Sequence, residues 1–423
     1  MPKLPLFMMN TKLGFIGLLL IFCSCNAVES EDVSDITDPI DTQEPVDRDQ
    51  LSWPLPTSKL KVQGRQLVDA CGNDVLLHGV AITPSPWFNG GHVGVWRWNN
   101  YDIAGCLSYN KGVMDKLTNP EEGWFLNMVR LHIDPYWSNT PGPPISENDI
   151  SRFDFDRFVT AVDNVILPLI DHAKSRGMYI ILRPPGVAPH QIAVGDEYFD
   201  YLLKIWDHIS QHPHLKNRDH VMFELANEPV QILGTNGQYG SDTPAHFEAL
   251  KLFFQPMVDK IRENGAQNIL WIPGSGYQSH YRGYPDFPIE DDNYGYAVHI
   301  YPGYWGQQNN DPVTFRRNWN THIKPVADIA PIAITEIDWG PEQYGVWGKG
   351  GVTGTAGGWG FGANFKVLAD ESGNVSWNLL SPENLFHDGH LDGGLAYNAD
   401  PEACAYPVHK WFGEYAKQKI KCD

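Results

Sequence analysis

The sequence predicts an α/β fold, an eight-unit (β/α)8 barrel with an N-terminal hairpin closing its bottom. Three observations carry that expectation. Short apolar runs rich in β-branched residues recur along the chain. The stretches between them space their apolar residues for one buried helix face. The chain has 423 residues, 42% of them hydrophobic and 19% charged, which is apolar surface enough for one large core and excludes a mostly disordered protein. Near-continuous apolar strands that alternate with helices imply a parallel sheet covered on both faces. Closed into a ring of eight, such units give the TIM barrel.

Taken in order, residues 1–25 read as a signal peptide: Lys3 and Lys12 precede an apolar stretch from Leu13 to Phe22 that is short for a bilayer span. Ser24 before Cys25 has the layout of a lipobox, although Phe22 stands where that pattern usually has Leu. Residues 26–55 lack apolar periodicity and are dense in acids from Glu29 to Asp49, the composition of a solvated tether. The barrel is expected over 56–423. Leu60 to Asp74, broken by Gly64 and Gly72, reads as the hairpin that plugs its base.

The strands follow at Val75–Ala81, Asn127–Ile133, Met178–Arg183, His220–Ala226, Asn268–Pro273, Tyr296–Tyr301, Pro331–Glu336 and Asn374–Leu379. The clearest helices are Phe155–Ser175, Glu197–Gln211, Thr243–Asn264 and Val313–Asp328. Between Trp339 and Gly362 the chain is crowded with glycine and holds Trp347 and Trp359, with Phe361 beside them, as expected of a long functional loop. Cys71, Cys106, Cys404 and Cys422 follow the signal segment. Export permits disulfides among them, and the pairing stays open beside the alternative of buried free thiols.

In a barrel of this kind the reacting groups sit at the C-terminal ends of the strands. Glu228 follows the fourth strand in Asn227-Glu228-Pro229, and Glu336 ends the seventh. Alone, Asn-Glu-Pro reads equally well as a turn; a second glutamate at the opposed strand end changes the balance. Cleaving a glycosidic bond with retention needs one carboxylic acid to protonate the leaving oxygen and one carboxylate to attack the anomeric carbon, about 5 Å apart. Arg130 on the second strand and Tyr301 after His299 on the sixth are suited to keep a carboxylate ionised. Trp377 on the eighth offers a stacking floor for a sugar ring. Read singly, Arg130 could be a structural ion pair and Trp377 rim packing. Trp87, Trp96, Trp98, Trp347, Trp359 and Phe361 are further candidate platforms.

These motifs together resemble glycoside hydrolase family 5, the cellulase family, from about Leu60 to the C-terminus. The resemblance implies Glu228 as acid/base and Glu336 as nucleophile, with Arg130, Asn227, His299, Tyr301 and Trp377 binding substrate. It implies a metal-free hydrolase without cofactor that cleaves β-linked polysaccharide, first of all a β-1,4-glucan, with β-mannan, β-xylan and mixed-linkage glucan as alternatives. One departure stands out. The family commonly ends its third strand in histidine, whereas here the strand ends in Arg183, and Arg183, His190 or His132 is expected to fill the place.

Other classes fit less well. With 31 Lys+Arg against 51 Asp+Glu, the net charge of -20 would repel a phosphate backbone, so no nucleic-acid partner is expected. A barrel that only binds surface glycan gains nothing from paired buried carboxylates, whose desolvation is costly. His387, Asp388, His390 and Asp392 have ligand-like spacing, but on a Gly-broken segment they read as a solvated turn. The expected molecule is a monomer, exported and either secreted or held on an outer surface by lipid at Cys25, its only membrane contact.

Overall fold

A computed structural model describes residues 57–86, 101–142, 148–305, 311–338, 360–380, 385 and 408–416. Parallel strands close into a barrel: His78–Ile82, Met128–His132, Tyr179–Arg183, Val221–Glu224, Leu270–Pro273, Tyr294–Ile300, Ile332–Ile337 and Val375–Leu379 are barrel strands one to eight. Strand eight pairs back onto strand one through Trp377 opposite His78. All eight expected runs are strands, and the expected barrel is the fold.

Side chains alternate across the barrel wall as a period of two requires. Outward residues such as Val129, Ile180, Phe223, Ile272, Val298 and Ile334 join one core with the surrounding helices. Inward residues change character with height. Toward the bottom Met128, Ile181, Met222, Trp271, Ala297 and Ala333 form a separate apolar cluster. Above them the interior is lined by Arg130, His132, Arg183, Glu224 and His299, all buried. The short hairpin, Lys61–Gln63 paired with Gln66–Val68, delivers Leu60 and Leu67 into the lower cluster, so it closes the base as expected.

The helix Glu197–Gln211 has the expected bounds. Asp196 caps it by accepting from the Phe199 N–H at 2.7 Å, and Leu202, Ile205, Trp206 and Ile209 are its buried stripe. Two helices depart from their expected outline, each at a proline, which cannot donate to the helical ladder. The span from Phe155 to Ser175 contains a π-turn at Val162–Ile166 just ahead of Pro168. The stretch expected at Val313–Asp328 divides into Pro312–His322 and Lys324–Ala327, with Pro325 in the first turn of the second piece. A helix at Phe361–Ser372 was not expected. Cys71 is disulfide-bonded and Cys106 is a buried free thiol.

Candidate active site

The upper barrel is organised by one fully buried guanidinium. Arg130 Nε and Nη2 grip Glu224 Oε2 and Oε1 at 2.6 and 3.0 Å. Its Nη1 donates to Glu336 Oε1 at 2.6 Å and to His132 Nε2 at 3.0 Å, and Nη2 also reaches Asn227 Oδ1 at 2.6 Å. Every N–H of the fork thereby has an acceptor, the condition under which a buried cation is tolerable. Burial alone would lower the Arg130 pKa; Glu224 and Glu336 outweigh it and hold the side chain charged. His132 is pushed well below its ordinary value by burial and by Arg183 and Arg130, so it is a neutral ring between two cations. Its Nε2 lies 3.0 Å from Arg130 Nη1, and its Nδ1 lies 2.8 Å from Thr83 Oγ1 and 3.0 Å from Arg183 Nη2, so each ring nitrogen faces an arginine.

Glu336 reaches this network through a bulge. Across strands six and seven Val298 pairs with Ile334 but His299 pairs with Glu336, so Thr335 is an extra residue in strand seven. Without the bulge Thr335 and Glu336 would face opposite sides. With it both face in: Thr335 Oγ1 donates to Glu224 Oε1 at 2.8 Å, while Glu336 Oε2 accepts from Tyr301 Oη at 2.7 Å. Burial would raise the Glu336 carboxyl. His299, Arg130, the Tyr301 hydroxyl and Arg183 together hold it down at about 2, so it is a carboxylate in neutral solution.

Glu228 stands beyond the end of strand four, part-exposed, with φ of 55° immediately before Pro229. That backbone state is disfavoured for a residue with a side chain, and more so before proline. A left-handed turn after strand five holds it there. Gly276, Tyr277 and Gln278 all have φ near 60°. The Gly276 N–H donates to Val230 O at 2.9 Å and the Tyr277 N–H to Pro229 O at 3.1 Å. Gln278 Oε1 accepts from the Glu228 N–H at 2.6 Å, and its Nε2 donates to Glu224 Oε1 at 2.8 Å. Glycine is required at Gly276, where a Cβ would also lie 2.5 Å from His280 Nδ1.

His299 bridges the two glutamates, its Nδ1 3.0 Å from Glu228 Oε1 and 3.4 Å from Glu336 Oε2. One carboxylate oxygen of Glu228, one of Glu336 and a His299 nitrogen all lie within 4.8 Å of one another. Such a set could hold a cation, yet the charge of Arg130 beside Glu336 disfavours one there.

Arg130, Asn227, Glu228, His299, Tyr301 and Glu336 thus converge on one network. Trp377 does not. It is fully buried on the outer face of strand eight, stacked on Phe412 at 5.4 Å and set edge-on to Phe365 and Trp411, so no sugar can reach it. Strand alternation turns it toward the helices and gives the inward positions to Ser376 and Asn378. Phe361 is likewise buried, packed edge-on against Phe315 rather than lining a cleft. Trp87, Trp96, Trp98, Trp347 and Trp359, and the candidate ligands His387 to Asp392, lie outside the described residues. In the place of a strand-three histidine stand Arg183 and His132, 3.0 Å apart, while His190 is exposed. Glu224 and Gln278 escaped the sequence reading. A lone acid in the apolar run Val221–Ala226 was a signal for Glu224, since a charge there needs a buried partner; Gln278 carried none.

A (β/α)8 barrel whose mouth holds a buried acid–histidine cluster of this kind has the catalytic architecture of a glycosidase. Residues 98–346 match the cellulase family, glycosyl hydrolase family 5. That is more than half of the chain, and the chain belongs to this family. Among curated relatives, an endoglucanase of Bacillus sp. (strain KSM-635) is 28% identical over 192 residues, covering 43% of this chain and 19% of the relative. The cellulase CelDZ1 of Thermoanaerobacterium sp. is 23% identical over 302 residues, 68% of this chain and 66% of the relative. The chain spans less than a third of the length of the first curated relatives it matches. The crystal structure of the beta-glucanase SdGluc5_26A from Saccharophagus degradans in complex with cellotetraose shares the fold. It has a TM-score of 0.57 and 19% identity, with 90% of this chain and all of that one covered.

Proposed function

We propose that this protein is a retaining endo-β-1,4-glucanase, with Glu336 as nucleophile and Glu228 as acid/base. The observation that carries the reading is that one oxygen of Glu228 and one of Glu336 approach within 4.8 Å across the barrel mouth, an approach that supports the roughly 5 Å carboxyl spacing of a double displacement. Glu336 attacks the anomeric carbon as the bond to the glycosidic oxygen breaks, and Glu228 gives that oxygen its proton. In the second step Glu228 takes a proton from water, the water oxygen attacks the same carbon, and Glu336 leaves as the carboxylate. Arg130 and Tyr301 stabilise Glu336 before attack and on release. Arg130 occupies Asn227 Oδ1, which orients the Asn227 Nδ2 donor toward the sugar 2-hydroxyl. To Tyr277, whose ring is 45% exposed on the turn that holds Glu228, we assign stacking on the sugar beyond the cleaved bond.

The glucan assignment leans on the endoglucanase and cellulase relatives and is tested by product analysis over soluble glucans, mannans and xylans. Mainly mannan hydrolysis would replace it. The roles are tested with Glu228→Ala. It should lose activity against poor leaving groups far more than against an activated aryl glycoside, and azide should partly restore turnover of the latter. Glu336→Ala lacks the covalent step, so neither the aryl glycoside nor azide should restore retention, and any glycosyl azide it forms should be inverted. Equal behaviour of the two variants would sink the assignment. Export with lipid at Cys25 belongs to the same proposal, and Cys25→Ala should abolish labelling by a fatty-acid probe.

A further inference from the structure

Away from the carboxylate pair, three units of the barrel bring Asp242, His280 and His322 together, with one ligand atom of each within 4.8 Å of the others. Asp242 precedes the helix Pro244–Glu263, His280 follows strand five, and His322 ends the helix after strand six. The two imidazoles have centroids 5.3 Å apart, close to the separation of two rings sharing one tetrahedral ion. His280 is oriented from behind, its Nδ1 3.2 Å from Ser241 Oγ, and Ser241 is itself fixed by Ser275 Oγ on its carbonyl at 2.5 Å. With Ser241 accepting, the Nε2 lone pair of His280 is left for an ion, the arrangement common to metal-bound histidine. His322 lies flat against Trp305 at 5.4 Å, and its Nδ1 is buried with no hydrogen-bond partner. Arg282 takes Asp242 Oδ1 at 2.8 Å but is half exposed and not committed to Oδ2.

We infer that Asp242, His280 and His322 form a binding site for a divalent ion of the zinc type, separate from the catalytic groups. Two imidazoles and one carboxylate suit zinc, whereas calcium would want six or more oxygens. Binding at ordinary bond lengths sets the ligand atoms about 3.3 Å apart, inside the 4.8 Å within which they already lie. The ion ties the His280 loop to its neighbours, and that loop carries the Gly276–Gln278 turn under Glu228. Its role is to fix the rim, with no part in bond cleavage.

The test uses the full chain after EDTA treatment and removal of the chelator. Titration with zinc chloride should show about one ion per chain, calcium chloride none. At one hundred times Kd zinc should raise Tm by about 3 °C. His322→Gln and Asp242→Asn should each weaken binding at least about tenfold. No saturable uptake up to about 0.1 mM zinc would overturn the inference. So would undiminished uptake by the His280→Gln/His322→Gln double variant, which places the ion elsewhere. Should the variants not fold, cobalt(II) on the wild-type chain decides. Intense visible absorption supports a tetrahedral site of these ligands, and a weak octahedral spectrum overturns it.

Discussion

The Glu336 environment has a measurable consequence in acid. Its carboxyl is held at about 2 against an ordinary 4.5, chiefly by His299, Arg130 and the Tyr301 hydroxyl working against burial. A depressed pKa favours the folded state wherever the group is ionised. The benefit is complete above the unfolded value and is lost as pH falls through about 4.5 toward about 2. At about 1.4 kcal/mol per unit, the part lost between pH 6 and pH 3 is about 2 kcal/mol. The perturbation is Glu336→Gln, which removes the titration and nearly keeps the shape. Urea unfolding followed by tryptophan fluorescence at pH 6 and pH 3 gives the fall in stability for each protein. The wild type should fall by about 2 kcal/mol more than the variant. Equal falls would mean that Glu336 is not selectively stabilised as a carboxylate, and the account of Arg130 and Tyr301 as its partners would fail.

Glu224→Gln leaves Arg130 with one carboxylate in place of two; it should cost about 3–5 kcal/mol in urea unfolding and lower kcat on a soluble glucan by tenfold or more, with a loss under about 1 kcal/mol counting against the network. Trp377→Ala should destabilise by about 3–5 kcal/mol while the folded fraction keeps its KM, and a raised KM at unchanged stability would restore the sugar-floor role. Tyr277→Ala should raise KM for long cello-oligosaccharides by up to about tenfold and leave a short aryl glycoside nearly unaffected, whereas equal effects would mean that Tyr277 only supports the turn.

How much of this was legible in the sequence follows from period and register. Buried parallel strands are nearly all apolar, so the barrel runs could be found without knowing what they pack against. The glutamates, Arg130, His299 and Tyr301 stood out as polar groups on or beside those runs. What stayed hidden depends on relations between distant segments. The face of Trp377 is set by one step of alternation, and the run Asn374–Leu379 alone does not tell which side meets the helices. The inward turn of Glu336 beside Thr335 depends on a bulge defined only by strand six. Gln278 is a polar loop residue until its side chain is seen between Glu228 and Glu224.

The left-handed turn implies a conflict between durability and turnover at the rim. Glu228, Tyr277 and Gln278 hold a backbone state that costs a side-chain-bearing residue about 1 kcal/mol or more, and that glycine adopts freely. Selection for heat resistance alone would therefore favour glycine at these positions and erase the acid, the exposed ring and the amide strut together. A search for hardier variants of this chain should hold this segment constant and seek its gains in the hairpin-capped lower barrel, where no reacting group is at stake.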